Sequence, residues 1–155
     1  MNFIVALQGK ARTGKTNTHG ILRNILLDNG YDRIPVNLTT GQSFTAPGND
    51  FVEVLERDGV RIGICSAGDI PHYLNRSVDE LIRYRCQIIF ASCRTAGGTV
   101  SEIEDFYGFR YTPADHVPIY KLKLDVNAAP TNITETQCNQ TDANLLFEIS
   151  ERLAI

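Results

Sequence analysis

A glycine-containing loop between a predicted strand and a predicted helix limits the possible folds of this chain more than any other sequence feature. The loop reads Gly9-Lys-Ala-Arg-Thr-Gly14-Lys15-Thr16, with the spacing GxxxxGK[ST]. Residues 2–8 before it form a short apolar run, typical of a strand buried on both faces. Residues 15–29 behind it carry apolar side chains at helical spacing. Such a loop turns successive backbone amides toward one point at a helix N-terminus, where a polyphosphate is held mainly by backbone.

Over about residues 1–93 the sequence resembles the P-loop NTPase superfamily, and the loop matches its Walker A motif. The resemblance implies that Lys15 reaches the β- and γ-phosphates of a nucleoside triphosphate and that Thr16 places its hydroxyl on Mg²⁺. The predicted phosphate-binding residues are those of the whole loop: Gly9, Lys10, Ala11, Arg12, Thr13, Gly14, Lys15 and Thr16.

A P-loop enzyme also needs a carboxylate, at the end of a strand next to the loop strand, that holds the magnesium ion through its water shell. The apolar run Ile62 to Cys65 is followed by Ser66-Ala-Gly-Asp69, and ligands collect beyond the carboxyl ends of strands in open α/β sheets. We therefore predict that Asp69 joins Thr16 at the metal. The alternative interpretation of Asp69 is a helix N-cap or a turn residue.

Arg94 follows the apolar run 87–92, which is predicted to be a core strand ending beside the phosphates. A guanidinium there would stabilise transition-state charge or bind a substrate phosphate, and Gly97-Gly98 would let its loop move. The alternative is a surface arginine in a flexible turn. With Lys15 and Asp69, Arg94 completes the predicted catalytic set.

The expected nucleotide is ATP, with GTP less favoured. Residues 51–55 and 60–65, joined by Asp58-Gly59, predict a hairpin similar to the one in small GTPases. However, Cys65 stands where the DxxG motif of those proteins has its aspartate. The guanine-reading NKxD motif is also absent after residues 87–92.

The remaining patterns alternate between strand and helix, which predicts an α/β protein with a single domain over residues 1–155. Further predicted elements are a strand at 34–39, helices that start at the capping boxes Ser77–Glu80 and Thr99–Glu102, a strand at 116–124, and a closing helix marked by Leu145, Ile149 and Leu153 after a polar connection at 125–140. The expected architecture is the three-layer P-loop fold, with a mixed, mostly parallel sheet around residues 2–8 and an antiparallel edge strand at 51–55.

Composition narrows the range of partners. The 155 residues carry 15 basic and 18 acidic side chains, a net charge of −3, so no bulk positive field attracts nucleic acid. No apolar run reaches the roughly 18 residues that cross a bilayer, so neither a membrane span nor a membrane partner is expected, and the predicted location is cytoplasmic.

Four cysteines lack CxxC spacing and are expected to be reduced and mostly buried. They are Cys65, Cys86, Cys93 and Cys138. Four NxS/T sequons are interpreted as coincidences, and they lie at Asn37, Asn75, Asn132 and Asn139.

Three other groups of residues carry side chains of the kinds that functional sites use. Thr39, Thr40 and Ser43 lie where related folds place switch or acceptor-binding residues, although turn chemistry explains them equally well. The aromatic stretch 106–111 with Arg110 would stack a base or close over the site, or else cover a core edge. The histidines show no metal spacing and no Ser or Cys partner arrangement, so no role is assigned to His19, His72 and His116.

The sequence therefore favours an enzyme that binds Mg-ATP and transfers the γ-phosphoryl group to a small acceptor such as a nucleotide. The main alternative is a regulatory switch NTPase whose loops order around the γ-phosphate and act on a partner protein. A third interpretation, a structural subunit that binds nucleotide without turnover, is disfavoured by the intact Lys15 and Thr16.

Overall fold

The computed structural model describes residues 3–9, 14–36, 50–66, 71–94, 115–120 and 135–154. Within these ranges the chain forms a six-stranded sheet and three helices. The strands are β1 Phe3–Gln8, β2 Asp32–Ile34, β3 Val52–Arg57, β4 Val60–Cys65, β5 Ile88–Cys93 and β6 Asp115–Tyr120. The helices are α1 Lys15–Asp28, α2 Pro71–Arg83 and α3 Glu135–Leu153.

The sheet is mixed and has the order β2-β3-β4-β5-β1-β6. β1 pairs in parallel with β5 on one side and with β6 on the other, and β4 is parallel to β5. β3 is antiparallel to both β2 and β4. The predicted α/β class and mostly parallel sheet around β1 are confirmed.

Two details of the predicted sheet are wrong. The antiparallel strand at the edge is β2, not the 51–55 segment, because β3 has a partner on each side. β5 also lies between β1 and β4, so the strand that leads toward Asp69 is not adjacent to the loop strand. β1 and β5 are buried along their length, which explains why their sequences are apolar without alternation.

The predicted hairpin of β3 and β4 is confirmed, and the conformation of its turn explains why the chain reverses there. Asp58 and Gly59 both have positive φ, 53° and 80°, which is the backbone that a two-residue hairpin turn requires. The register pairs Arg57 with Val60 and continues to Val52 and Cys65. The turn therefore brings the residue before β3 next to the residue after β4.

Helices cover both faces of the sheet. α2 packs on one face, in a core with Ile4, Ala6, Leu74, Leu81 and Ile89. α1 and α3 pack on the other face, in a core with Leu7, Leu22, Leu26, Phe90 and Leu146. The loop strand β1 contributes side chains to both cores, so the end of β1 is held firmly.

Helix boundaries differ from the sequence prediction. α2 begins at Pro71, a residue favoured in the first turn, so Ser77 lies inside the helix rather than at its cap. α3 begins at Glu135, inside the segment predicted as connection. The predicted closing helix is confirmed, and Ile149 and Leu153 of its predicted stripe pack against the core. Leu145 is instead 48% exposed, and the fully buried apolar residues are Ala143 and Leu146.

Several predicted elements lie wholly or partly outside the described residues. They are the ends of the strands at 34–39 and 116–124 and the helix at 99–106. Among the helices of the described ranges, none combines the length and apolar character needed to cross a membrane.

Candidate phosphate-binding site

The two ends of the glycine-containing loop are fixed by regular structure. Gly9 follows β1 directly, and its N–H donates to the carbonyl of Cys93 at the end of β5, at 3.1 Å. Gly14 precedes α1 with φ 88°, a left-handed conformation that favours glycine. Since Gly14 has no side chain, it cannot cap the first amides of α1, and a helix N-terminus of this kind favours an anion. Lys10–Thr13 lie outside the described residues.

Lys15 joins the two ends of the loop. Its Nζ donates to the carbonyl oxygen of Gly9 at 2.8 Å, and the side chain is only 7% exposed. Burial of an ammonium group is costly unless polar groups surround it. The fold thus places a positive charge next to Gly9, at the positive end of α1.

Asn139 of α3 packs against the last glycine of the loop. A Cβ built on Gly14 would overlap the side-chain oxygen of Asn139 and lie 2.9 Å from its nitrogen. Thr18 connects the two, since its Oγ1 donates to the carbonyl of Gly14 at 2.8 Å and lies 3.4 Å from Asn139 Oδ1. Sequence reasoning missed Asn139, whose only signal was a glycosylation sequon; its side chain is 7% exposed.

A carboxylate lies beside Thr16, and it is not the predicted one. Thr16 Oγ1 donates to Asp50 Oδ1 at 2.6 Å, and Ser66 Oγ donates to the same oxygen at 3.1 Å. Ser66 is fixed in turn, because the N–H of Phe51 donates to its hydroxyl at 2.8 Å. The hairpin positions this cluster by aligning the residues before β3 and after β4. Sequence reasoning did not select Asp50 as a metal ligand.

Asp69 lies outside the described residues, so its predicted place at the metal stays a prediction. Arg94 follows β5 directly, one residue after the carbonyl that Gly9 binds. Its backbone therefore starts beside the loop, as predicted, and its electrostatic role also stays a prediction. Outside the described residues lie Thr39, Thr40, Ser43 and the aromatic stretch with Arg110.

Cys65 is the last residue of β4, and it is fully buried. Burial raises the pKa of its thiol well above the usual range, and Sγ lies 3.7 Å from the carbonyl oxygen of Phe90. A neutral thiol packed in the core does not bind a hard cation such as Mg²⁺. None of the four cysteines forms a disulfide, and Cys65, Cys86 and Cys93 are buried as predicted.

His19 has a partner that the sequence did not reveal. Its Nδ1 lies 2.9 Å from Ser92 Oγ, and both side chains are fully buried between α1 and β5. The expectation that no Ser accompanies a histidine is therefore wrong. A substrate cannot reach fully buried atoms, so we assign this hydrogen bond a structural role. It joins α1 to β5 and so fixes the helix on the sheet.

The oxygen atoms of Thr16 and Asp50 are hard donors of the kind that magnesium binds together with phosphates. Within the part of the chain that the structure describes, no group of three or more His, Cys, Asp and Glu side chains could hold a metal by itself. A cation at Thr16 would accordingly need ligands from the nucleotide or from other residues. Comparison of the chain with family models, curated proteins and solved structures finds no match.

Proposed function

We propose that this chain is a P-loop phosphotransferase that binds Mg-ATP and passes the γ-phosphoryl group to a small acceptor. The observation that carries the proposal is the bond from Lys15 Nζ to the carbonyl of Gly9, next to a left-handed Gly14 at the start of α1. This bond holds a buried cation at an uncapped helix N-terminus, where the amides and the charge favour one anion.

In the proposed site, a small number of residues bind the phosphates and the magnesium ion. The loop 9–16 would bind the phosphates, with Lys15 at the β- and γ-phosphates. Thr16 and Asp50 would hold Mg²⁺, which when bound neutralises charge on those phosphates. Asp69 remains a second candidate carboxylate, and Arg94 is the candidate group for transition-state charge.

The arrangement of the sheet supports the three-layer P-loop fold as part of the same proposal. The loop strand lies between two parallel neighbours and is followed directly by a helix, with helices on both faces of the sheet. In open α/β sheets, ligands bind beyond the carboxyl ends of such strands. Gly9 and Arg94 both lie at that end.

A regulatory switch NTPase is the second candidate, and the contact between Thr16 and Asp50 favours it. This hydrogen bond links the start of α1 to the residue before the hairpin. Magnesium bound by Thr16 would alter this hydrogen bond, so binding of a nucleotide would change the position of Asp50 and of the β3–β4 hairpin. A switch would show slow turnover without stimulation by small acceptors.

The test is phosphate release from ATP and GTP with magnesium, with and without a panel of nucleoside monophosphates, together with thermal shifts. A ligand that binds the folded state raises the melting temperature. ADP formation that depends on one acceptor supports the phosphotransferase, whereas binding without acceptor stimulation favours the switch. Lys15→Ala should abolish the thermal shift and turnover, and the exposed Arg152→Ala serves as control. Full retention of both in Lys15→Ala would overturn the P-loop proposal.

A further inference from the structure

A cleft of about 400 Å³ lies along the solvent-facing side of α1. Thr16, the last residue of the loop motif, lines the cleft, which continues past Asn17 and Gly20 to Asn24. Phe51 from the hairpin and Asn139 from α3 also line it. The cleft therefore starts at the proposed phosphate site and runs away from it along the helix.

Gly20 keeps part of the cleft open. Glycine is a poor helix former, yet Gly20 lies in the interior of α1. A Cβ built there meets no atom within 4 Å, so no close packing requires a glycine at this position. What the glycine provides is space beside the helix.

The polar groups of the cleft suit a nucleobase. The exposed side chain of Asn17 offers a donor and an acceptor in one plane, the pattern that pairs with adenine. Phe51 adds an aromatic ring, which the guanidinium of Arg23 approaches to 4.7 Å. Among the described residues that line the cleft there is no carboxylate to accept the two N–H donors of guanine.

The spacing along α1 suits a nucleoside attached to bound phosphates. Gly20 lies four residues beyond Thr16, a rise of about 6 Å at 1.5 Å per residue. A ribose and base extend over that distance from an α-phosphate held at the helix start. We propose that this cleft binds the nucleoside part of the triphosphate, with adenine preferred, an inference that rests on the proposed function.

The test compares Mg-ATP with inorganic tripolyphosphate, which probes the phosphate loop alone, by titration calorimetry. Gly20→Leu places an apolar side chain in the cleft and should weaken ATP binding at least tenfold, while tripolyphosphate affinity stays within twofold. Asp28→Leu, on the exposed last residue of the same helix, is the matched control and should change neither affinity. Wild type should also bind ATP more tightly than GTP.

Two further variants distinguish a loss of nucleoside binding from a folding defect in Gly20→Leu. Gly20→Ala should keep or raise the melting temperature, because alanine favours a helix and its Cβ meets no atom. Asn17→Ala changes an exposed side chain and should weaken ATP selectively. Equal effects of Gly20→Leu and Asn17→Ala on ATP and tripolyphosphate, or no effect on either, would overturn the cleft assignment. Failure of both ligands to bind wild type would overturn the proposed function and the inference with it.

Discussion

Asp50 Oδ1 accepts a 2.6 Å hydrogen bond from Thr16 Oγ1, across 34 residues of sequence. Ser66 donates to the same oxygen, so two hydroxyl groups from different elements fix one carboxylate at the start of α1. The arrangement depends on the β3–β4 hairpin, whose register aligns Val52 with Cys65 and so brings Asp50 beside Ser66. The hairpin thus delivers a carboxylate to the loop even though neither of its strands is adjacent to β1.

We predict that Asp50→Asn raises the magnesium concentration needed for nucleotide binding by about tenfold, the loss of roughly one charged ligand interaction of about 1.4 kcal/mol. The fold should persist, since the asparagine oxygen still accepts from Thr16 and Ser66. A magnesium titration of the nucleotide-induced thermal shift measures the effect. Asp58→Asn, in the exposed hairpin turn, is the control. An unchanged midpoint in Asp50→Asn with a shifted one in Asp69→Asn would assign the carboxylate to Asp69.

The part of this site that sequence predicts is the part encoded in consecutive residues. The GxxxxGK[ST] spacing predicts a loop between a strand and a helix, and such a loop brings its own ends together, as the bond from Lys15 to Gly9 shows. Asp58-Gly59 predicts a hairpin for a similarly local reason. Local chemistry determines these features before tertiary packing contributes.

Contacts between distant segments could not be predicted in this way. Asn139 meets Gly14 only because α3 packs on α1, and these two helices are far apart in the sequence. The sequence Leu145-Leu146-Phe147 allows more than one apolar stripe on α3, and burial of the small Ala143 beside Leu146 selects the observed one. The contacts of Asp50 with Thr16 and of Ser92 with His19 likewise join distant segments and are not marked by any nearby motif.

The buried thiols predict a loss of stability at alkaline pH. Burial raises the pKa of Cys86 to about 12 from an ordinary value of 9.0, with Arg61 opposing the shift, and burial raises the pKa of Cys65 as well. When the pKa of a thiol is higher in the folded than in the unfolded protein, its protonated form contributes to stability, and this contribution is complete below the pKa of the unfolded state. That contribution is lost as pH rises toward the folded pKa, by about 1.4 kcal/mol per pH unit for each thiol.

Urea denaturation at several values between about pH 8 and pH 11 measures this slope. Cys86→Ala should make the decline in the free energy of unfolding shallower by about 1.4 kcal/mol per pH unit above the ordinary thiol pKa. Cys138→Ala, at the only cysteine of the four that is not buried, is the control variant. Identical slopes for wild type and Cys86→Ala would show that this thiol ionises equally in the folded and unfolded protein.

The contact between Gly14 and Asn139 predicts a coupled pair of substitutions. Gly14→Ala places a Cβ 2.9 Å from Asn139 Nδ2 and imposes a side chain at φ 88°, so it should cost about 1–3 kcal/mol of folding free energy. Gly14→Ala combined with Asn139→Ala removes the overlap and keeps the backbone strain. The double variant should therefore be less destabilised than the sum of the two single variants, by about 0.5–1 kcal/mol or more.

Urea denaturation of the four proteins in this cycle gives the coupling energy directly. Gly20→Ala is the matched glycine control, because its new Cβ meets no atom and its helical backbone suits alanine, so its free energy of unfolding should not fall. If the Gly14 and Asn139 effects were additive, the side chain of Asn139 would have moved away at no cost, and α3 would not constrain the end of the loop. A measured coupling would instead establish that the C-terminal helix fixes the glycine from which α1 starts.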